Sequence, residues 1–347
     1  VETDAIQNKK WPEWYEGIKK YEQKNLTKAT LQILNTFIPY FILLALMVYT
    51  VKAGFSYIIT FAISIAAAGL LVRIFVIFHD CTHNSFFKSH MANKILGYAA
   101  GLLTITAYED WQWCHAQHHQ NAGDLEKQGI GGITIMTVKE YQRASKLKRM
   151  IYRIGRNPFV LFGLGPSALF ILSQRIAKGP GKKQRKSVII TNILILIILI
   201  AAGKAIGFGT LLKVWTPVWL IAGTVGVWLF FIQHNFEGMY WAHHTEVDKV
   251  RVALEGSSFY DLPSVLRWFT ANIGYHNLHH VRTSIPNYNL KRCYENTPEF
   301  SRIKHVTIRT SLKAATLHLW DDDKHKLVEF SSLKKKIKHN IANPRVY

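Results

Sequence analysis

Four stretches of the chain carry no charged residue over nearly the length of a bilayer-crossing helix. Residues 29–51 (ATLQILNTFIPYFILLALMVYTV) and 54–72 (GFSYIITFAISIAAAGLLV) form one pair. Residues 187–203 (SVIITNILILIILIAAG) and 214–232 (VWTPVWLIAGTVGVWLFFI) form another. A spanning helix needs about 20 largely apolar residues. The pattern therefore predicts crossings at about 29–51, 54–77, 187–206 and 212–233. Only Lys52 and Ala53 separate the first two runs, which forces a tight helical hairpin. Pro217 is expected to kink the fourth.

Two further apolar runs are less decisive. Residues 95–108 are too short to span, and 158–174 contain Pro158, Pro166 and two glycines. Charge helps to place them. The first 28 residues carry six lysines, and RIAKGPGKKQRK at 175–186 carries six basic residues. The region 109–157 is basic as well, whereas the turns near Lys52 and Lys204 are almost free of charge. The positive-inside rule puts the basic regions and both termini in the cytoplasm. Both ambiguous runs then dip in from that side or lie flat on it.

The expected fold is an all-α integral membrane protein. Four transmembrane helices stand in two hairpins, with interfacial helices and a cytoplasmic helical cap. Residues 1–28 read as a cytoplasmic amphipathic segment without the apolar core of a secretory signal, 29–295 as the main domain and 296–347 as a cytoplasmic basic tail. After Asp261-Leu262-Pro263 the chain reads as helical through residue 280. SSLKKKIKHN, from residue 331, reads as a solvated or headgroup-facing run.

Composition agrees with this division. Of 347 residues, 49% are apolar, and 43 Lys plus Arg against 22 Asp plus Glu give a formal charge of +21. Because the basic residues flank the greasy runs, an anionic membrane surface explains the balance better than nucleic acid. No nucleic-acid-binding motif is present. Cys81, Cys114 and Cys293 form no CxxC pair and no disulfide framework.

The sixteen histidines cluster. His79 and His83 lie in FHDCTHNSF at the end of the second span. His115, His118 and His119 lie in WCHAQHH, His276, His279 and His280 in GYHNLHH, and His234 directly follows the fourth span. On a helix, positions i, i+3 and i+4 share a face. Nine imidazoles so arranged would repel one another when protonated, and a metal offers their neutral forms a shared partner. Nine donors suit two ions with four or five ligands each and a position left open. Imidazole accepts Zn, Fe, Cu or Ni, so softness alone does not choose the metal. An open two-metal site beside apolar spans suits oxygen activation with iron.

HDCTH, HAQHH and HNLHH resemble, in order, spacing and placement after the two hairpins, the three histidine boxes of the membrane fatty-acid desaturases. The similarity runs from about residue 50 to 295. Around GSSFYDLPSVLRWFTANIGYHNLHHVRTSIPNYNL it is strongest to the bacterial acyl-lipid desaturases of the Bacillus type. The resemblance implies two iron ions, O2 as co-substrate, and removal of two hydrogens from adjacent methylenes of a phospholipid or other acyl lipid to leave a cis double bond. His234 falls where the family often has a further ligand. His243 and His244 are extra to the pattern and are expected to be structural or supporting.

Asp80, Glu109, Asp110 and Glu237 are placed to orient imidazoles by accepting their free N–H. Trp111, Trp113, Tyr240, Trp241 and Trp268 are candidates for the mouth of a substrate tunnel, or for interfacial anchors. No cytochrome b5-like segment and no GxGxxG loop is present, so an external electron donor is expected, of ferredoxin or flavodoxin type. A related di-iron hydroxylase or ketolase would share the boxes and differ in product. A metal transporter would hold its ligands near the bilayer midplane.

Overall fold

The computed structural model describes residues 11–333. Two hairpins of long helices carry the fold. The first joins α1 (Leu26–Lys52) to α2 (Tyr57–Thr82). After α3 (His90–Leu103), α4 (Tyr108–Asn121) and α5 (Lys146–Gly155), the second joins α6 (Lys182–Ile206) to α7 (Phe208–His234). Among the described residues these four helices, α1, α2, α6 and α7, are long and apolar enough to cross a membrane. Pro39 and Pro217 lie inside α1 and α7 without ending either helix.

Local chemistry sets the hairpins. The Asn25 side chain accepts the Lys28 N–H at 2.9 Å and caps α1, satisfying a donor that the first turn leaves free. At the α1–α2 turn Gly54 takes φ +73°, a left-handed conformation open to glycine at no steric cost. Buried Thr50 and Thr60 share a hydrogen bond of 2.9 Å across that turn, worth about 1 kcal/mol. The α6–α7 turn uses Gly207 at φ +88° in the same way.

The ambiguous runs take distinct forms. α3 has 14 residues, about 21 Å, too short to cross. Residues 159–172 wind largely as π-helical turns. Together with α5 they form a pair bent by 62°, either a broken span or a re-entrant loop, and counting it as one span would bring the crossings to five. This segment runs beside α7. The Phe162 carbonyl accepts from Thr224 Oγ1 at 2.8 Å, and the Phe170 ring meets Trp219 at 5.1 Å.

The cap is built from the chain beyond α7, with α8 (Ser264–Phe269), α9 (His276–Val281), α10 (Asn287–Glu295) and α11 (Ile308–Ala314). It also holds two small sheets that the helical expectation did not include. Strand β1 (Met136–Thr137) pairs in parallel with β4 (Leu319–Asp321), and β4 pairs antiparallel with β5 (Lys326–Val328). Strands β2 (Phe259–Asp261) and β3 (His305–Thr307) pair in parallel. The chain beyond residue 296 is thus woven into the same body as the rest, and its run from residue 334 lies outside the described residues. Ile18 and Tyr21, from the amphipathic N-terminal segment, are buried in a cap cluster with Leu278, Leu290 and Phe300.

The single helix expected over 264–280 is two. Ala271 and Asn272 take φ of +45° and +61°, which ends α8. The Gly274 carbonyl then accepts the Tyr260 N–H at 2.7 Å, so the chain bridges to β2 before α9 begins. A buried arginine ties α8 to the first hairpin. Arg73 on α2 donates to Thr36 Oγ1 on α1 at 2.9 Å and to the Trp268 carbonyl, with its guanidinium 4.3 Å from the Trp268 ring centroid. This fixes the connection leading into α9 against the helix that carries His79.

Candidate metal centre

All nine clustered histidines meet at the cap ends of α2 and α7. They form two groups, in each of which one ring nitrogen per residue lies within 4.8 Å of the others. The first group is His79, His83, His115, His119 and His279, and the second is His118, His234, His276 and His280.

Helical geometry explains the division. Successive residues advance about 100° round an α-helix, so i+4 lies about 40° to one side of i, and i+3 about 60° to the other. On α4, His115 and His119 face the first group while His118 faces the second. On α9 the roles reverse: His276 and His280 face the second group, and His279 the first. Each HxxHH run therefore serves both groups.

The nitrogens converge more closely than hydrogen bonding alone can use. His234 Nε2 lies 3.0 Å from His118 Nε2 and 2.9 Å from His276 Nε2. His119 Nε2 lies 3.0 Å from His115 Nε2 and 3.2 Å from His279 Nε2. One ring nitrogen offers a single in-plane proton or lone pair. A cation shared by the lone pairs satisfies all of them together. The buried Nε2 atoms of His79 and His83 have no hydrogen-bond partner among the described residues and suit the same role. Burial first, and neighbouring imidazoles second, hold His83, His115, His119, His276, His279 and His280 well below the usual histidine range. His118 is lowered to about 4, again chiefly by burial. Neutral imidazole is the ligating form.

Of the four acids singled out, Asp80 is the one that touches an imidazole. Its Oδ1 lies 3.2 Å from His79 Nδ1. Glu109 is buried but engages Lys183 at 2.7 Å, Lys94 and Tyr98. Asp110 accepts the backbone N–H groups of Lys178 and Gly179 and so anchors the approach to α6. Glu237 is exposed and pairs with Lys313 at 3.2 Å and with Lys304. Proximity along the chain did not bring these three to an imidazole, because each found a cation or a backbone donor first. His243 and His244 join neither group. His243 pairs with Glu126 and His244 Nδ1 lies 2.6 Å from Asp124, together clasping the loop after α4.

A cavity of about 390 Å³ runs from both groups into the spans. His79, His115 and His276 line one end, and the rest is mainly apolar, with Phe75, Phe170 and Trp219 among the walls and Thr104, Gln174, Lys178 and Gln233 as polar exceptions. Trp111 lines it too and stacks on His115 at 4.3 Å. The other four aromatic candidates lie elsewhere. Trp113 is half-buried outside the cavity wall. Tyr240 lies under Arg251 at 4.4 Å. Trp241 is buried in a small cleft beside His118 and His234. Trp268 holds Arg73. Phe230 was not singled out, yet its ring lies 5.2 Å from His118 and 5.3 Å from His234. Its position one helical turn before His234 was the available signal.

Comparison with known proteins bears on this arrangement. The model of a family described as fatty acid desaturase matches residues 24–311. The chain is 41% identical over 318 residues to a fatty acid desaturase of Bacillus subtilis (strain 168), covering 91% of this chain and 90% of that one. It is 23% identical to an sn-1 oleoyl-lipid 12-desaturase of Synechocystis, over 76% of this chain and 77% of that protein. It is 26% identical to an sn-1 acyl-lipid omega-3 desaturase (ferredoxin) of Nostoc, over 64% and 62% respectively.

Proposed function

The chain belongs to the fatty acid desaturase family, and on that premise we propose how its own residues serve the desaturation of a lipid's fatty acyl chain. The enzyme is an oxidoreductase acting on lipid acyl chains. The observation that carries the detailed reading is the meeting of two imidazole groups at the end of one apolar cavity.

His79, His83, His115, His119 and His279 would hold one iron, and His118, His234, His276 and His280 the other. When bound, the irons supply the oxidising power drawn from O2 that an unactivated alkyl C–H bond requires, since no side-chain base can remove so weakly acidic a proton. The protein's part is positioning. The cavity walls hold the chain extended and keep water away from the reacting carbons. Asp80 holds the His79 ring by its Nδ1, fixing the tautomer that leaves Nε2 for metal. Trp111, stacked on His115, stiffens that ring where the cavity passes it.

A membrane phospholipid or similar acyl lipid is the substrate. The cavity lies among helices apolar enough to span a bilayer, so an acyl chain reaches it without leaving a lipid environment. The basic stretches at the histidine end of the spans support a cell-membrane protein with its active site and both termini cytoplasmic. Electrons come from a separate carrier of ferredoxin or flavodoxin type, the first of which the name of the Nostoc relative suggests by analogy.

Expression in a host that makes only saturated lipids tests the reading. Lipid extracts should gain a monounsaturated acyl chain, two mass units lighter than its parent, located by derivatisation and gas chromatography, and the purified protein should carry iron. Product heavier by one oxygen would replace desaturation with hydroxylation. Purified protein without bound metal and a host with unchanged lipids would overturn the proposal.

A further inference from the structure

The cavity face of α7 is a helical stripe, Trp219, Gly223, Gly226, Phe230 and Gln233, all of which line the cavity. Its members differ in what they leave open. Phe230 stands beside the imidazoles, and Trp219 closes the far end against Phe170 and Trp215, at 5.1 and 5.6 Å. A Cβ at Gly223 would come 3.1 Å from the Pro166 side chain, so that glycine serves close packing. At Gly226 a Cβ would meet nothing within 4 Å. The helix does not need a glycine there for packing or for backbone conformation. What the bare backbone leaves is room in the cavity.

We propose that Gly226 is a specificity-determining residue: its missing side chain sets how much acyl chain fits beyond the reacting carbons. The proposal rests on the reading of the cavity as the acyl site. Gly226 precedes His234 by eight residues on an unbroken helix, about 12 Å at 1.5 Å per residue. An extended chain built of bonds of about 1.52 Å at angles near 111° covers that distance in roughly nine or ten carbons. Bulk at residue 226 blocks chains that extend further on the methyl side and leaves shorter ones alone.

The test uses full-length holoenzyme in nanodiscs whose phospholipids carry dodecanoyl, tetradecanoyl, hexadecanoyl or octadecanoyl chains. The variants are Gly226→Ala and Gly226→Leu, neither of which meets protein atoms at Cβ. Gly226→Leu should retain turnover on the shortest chain. On octadecanoyl lipid it should lose about tenfold or more in kcat/KM, or move the double bond toward the methyl end. Gly226→Ala should fall between. Affinity is read separately on metal-free protein, by displacement of a fluorescent polyenoyl lipid with each saturated lipid, and should show the same chain-length ranking. An unchanged ranking and double-bond position in Gly226→Leu overturns the proposal. If wild-type protein turns over none of the lipids, the reaction assigned to the site is at fault, and the displacement ranking still decides the role of Gly226.

Discussion

Asp80 and Asn287, 207 residues apart, are joined by two hydrogen bonds. One Asp80 oxygen accepts both the Asn287 backbone N–H at 2.7 Å and its side-chain amide at 2.8 Å. The other oxygen faces His79. The start of α10 thereby holds the carboxylate that orients an imidazole at the end of α2. Asn287 itself accepts from Gln32 on α1 at 2.9 Å, extending the buried chain of polar contacts into the first hairpin.

Asp80→Asn would place an amide where an acceptor is needed by both His79 and Asn287. Metal affinity or activity should fall about ten- to hundredfold. Metal content of purified protein and product formation measure it. Glu237→Gln, at an exposed carboxylate paired with Lys304 and Lys313, should leave both unchanged.

His118 and His279 come from opposite groups, although each occupies an HxxHH run. Replacing either by Ala should lower bound iron by about half and cut activity by more than about a hundredfold, beyond the ten- to hundredfold usual for losing a supporting contact. Expression should remain near wild type. Iron analysis against protein concentration, with lipid profiles from the expressing host, tests the pair. Full activity in either variant would remove it from the ligand set.

Gly131 follows α4 with φ +70°, and a Cβ there would come 2.5 Å from the Cys114 carbonyl oxygen. Gly131→Ala therefore combines a left-handed backbone with a clash against the helix that carries His115. It should cost about 1–3 kcal/mol, seen as a lower midpoint in thermal unfolding of the detergent-solubilised protein. A midpoint equal to wild type would show that the loop yields without loss.

His318 lies in the cap, its ring stacked on Phe330 at 4.5 Å. Burial, with Arg156 adding to it, lowers it to about 4. The ordinary value is about 6.5, so the unfolded chain takes up a proton there before the folded one does. Cap stability should be full above about pH 6.5 and decline as pH falls from there toward 4. His318→Phe should flatten that part of the profile. Tryptophan fluorescence during unfolding at several pH values, compared with a Trp320→Phe variant to isolate the buried Trp320 signal, gives the readout.

Much of the molecule was legible in one dimension. Charge-free runs of spanning length marked all four long helices, because a bilayer-crossing helix must be apolar over a contiguous length and needs no partner to declare itself. Eight of the nine histidines were equally visible, since i, i+3 and i+4 spacing is a property of one helix, and His234 stood out by directly following the fourth span. Pairing across the chain was not. The split of each HxxHH run between two groups depends on how α4 and α9 are turned toward each other. Asp80 found its imidazole, while Glu109, Asp110 and Glu237 found lysines or backbone donors from elsewhere, and no spacing along the chain encodes which arrives first. The break at Ala271 and Asn272 precedes a bond from the Tyr260 N–H to the Gly274 carbonyl, a partner that no local spacing announces. Sequence alone determined which segments are apolar and which side chains can bind metal, because those are properties of residues and their period. Only the tertiary structure decided which imidazoles meet, which acids reach them and where the cavity runs, because those depend on contacts between elements far apart in the chain.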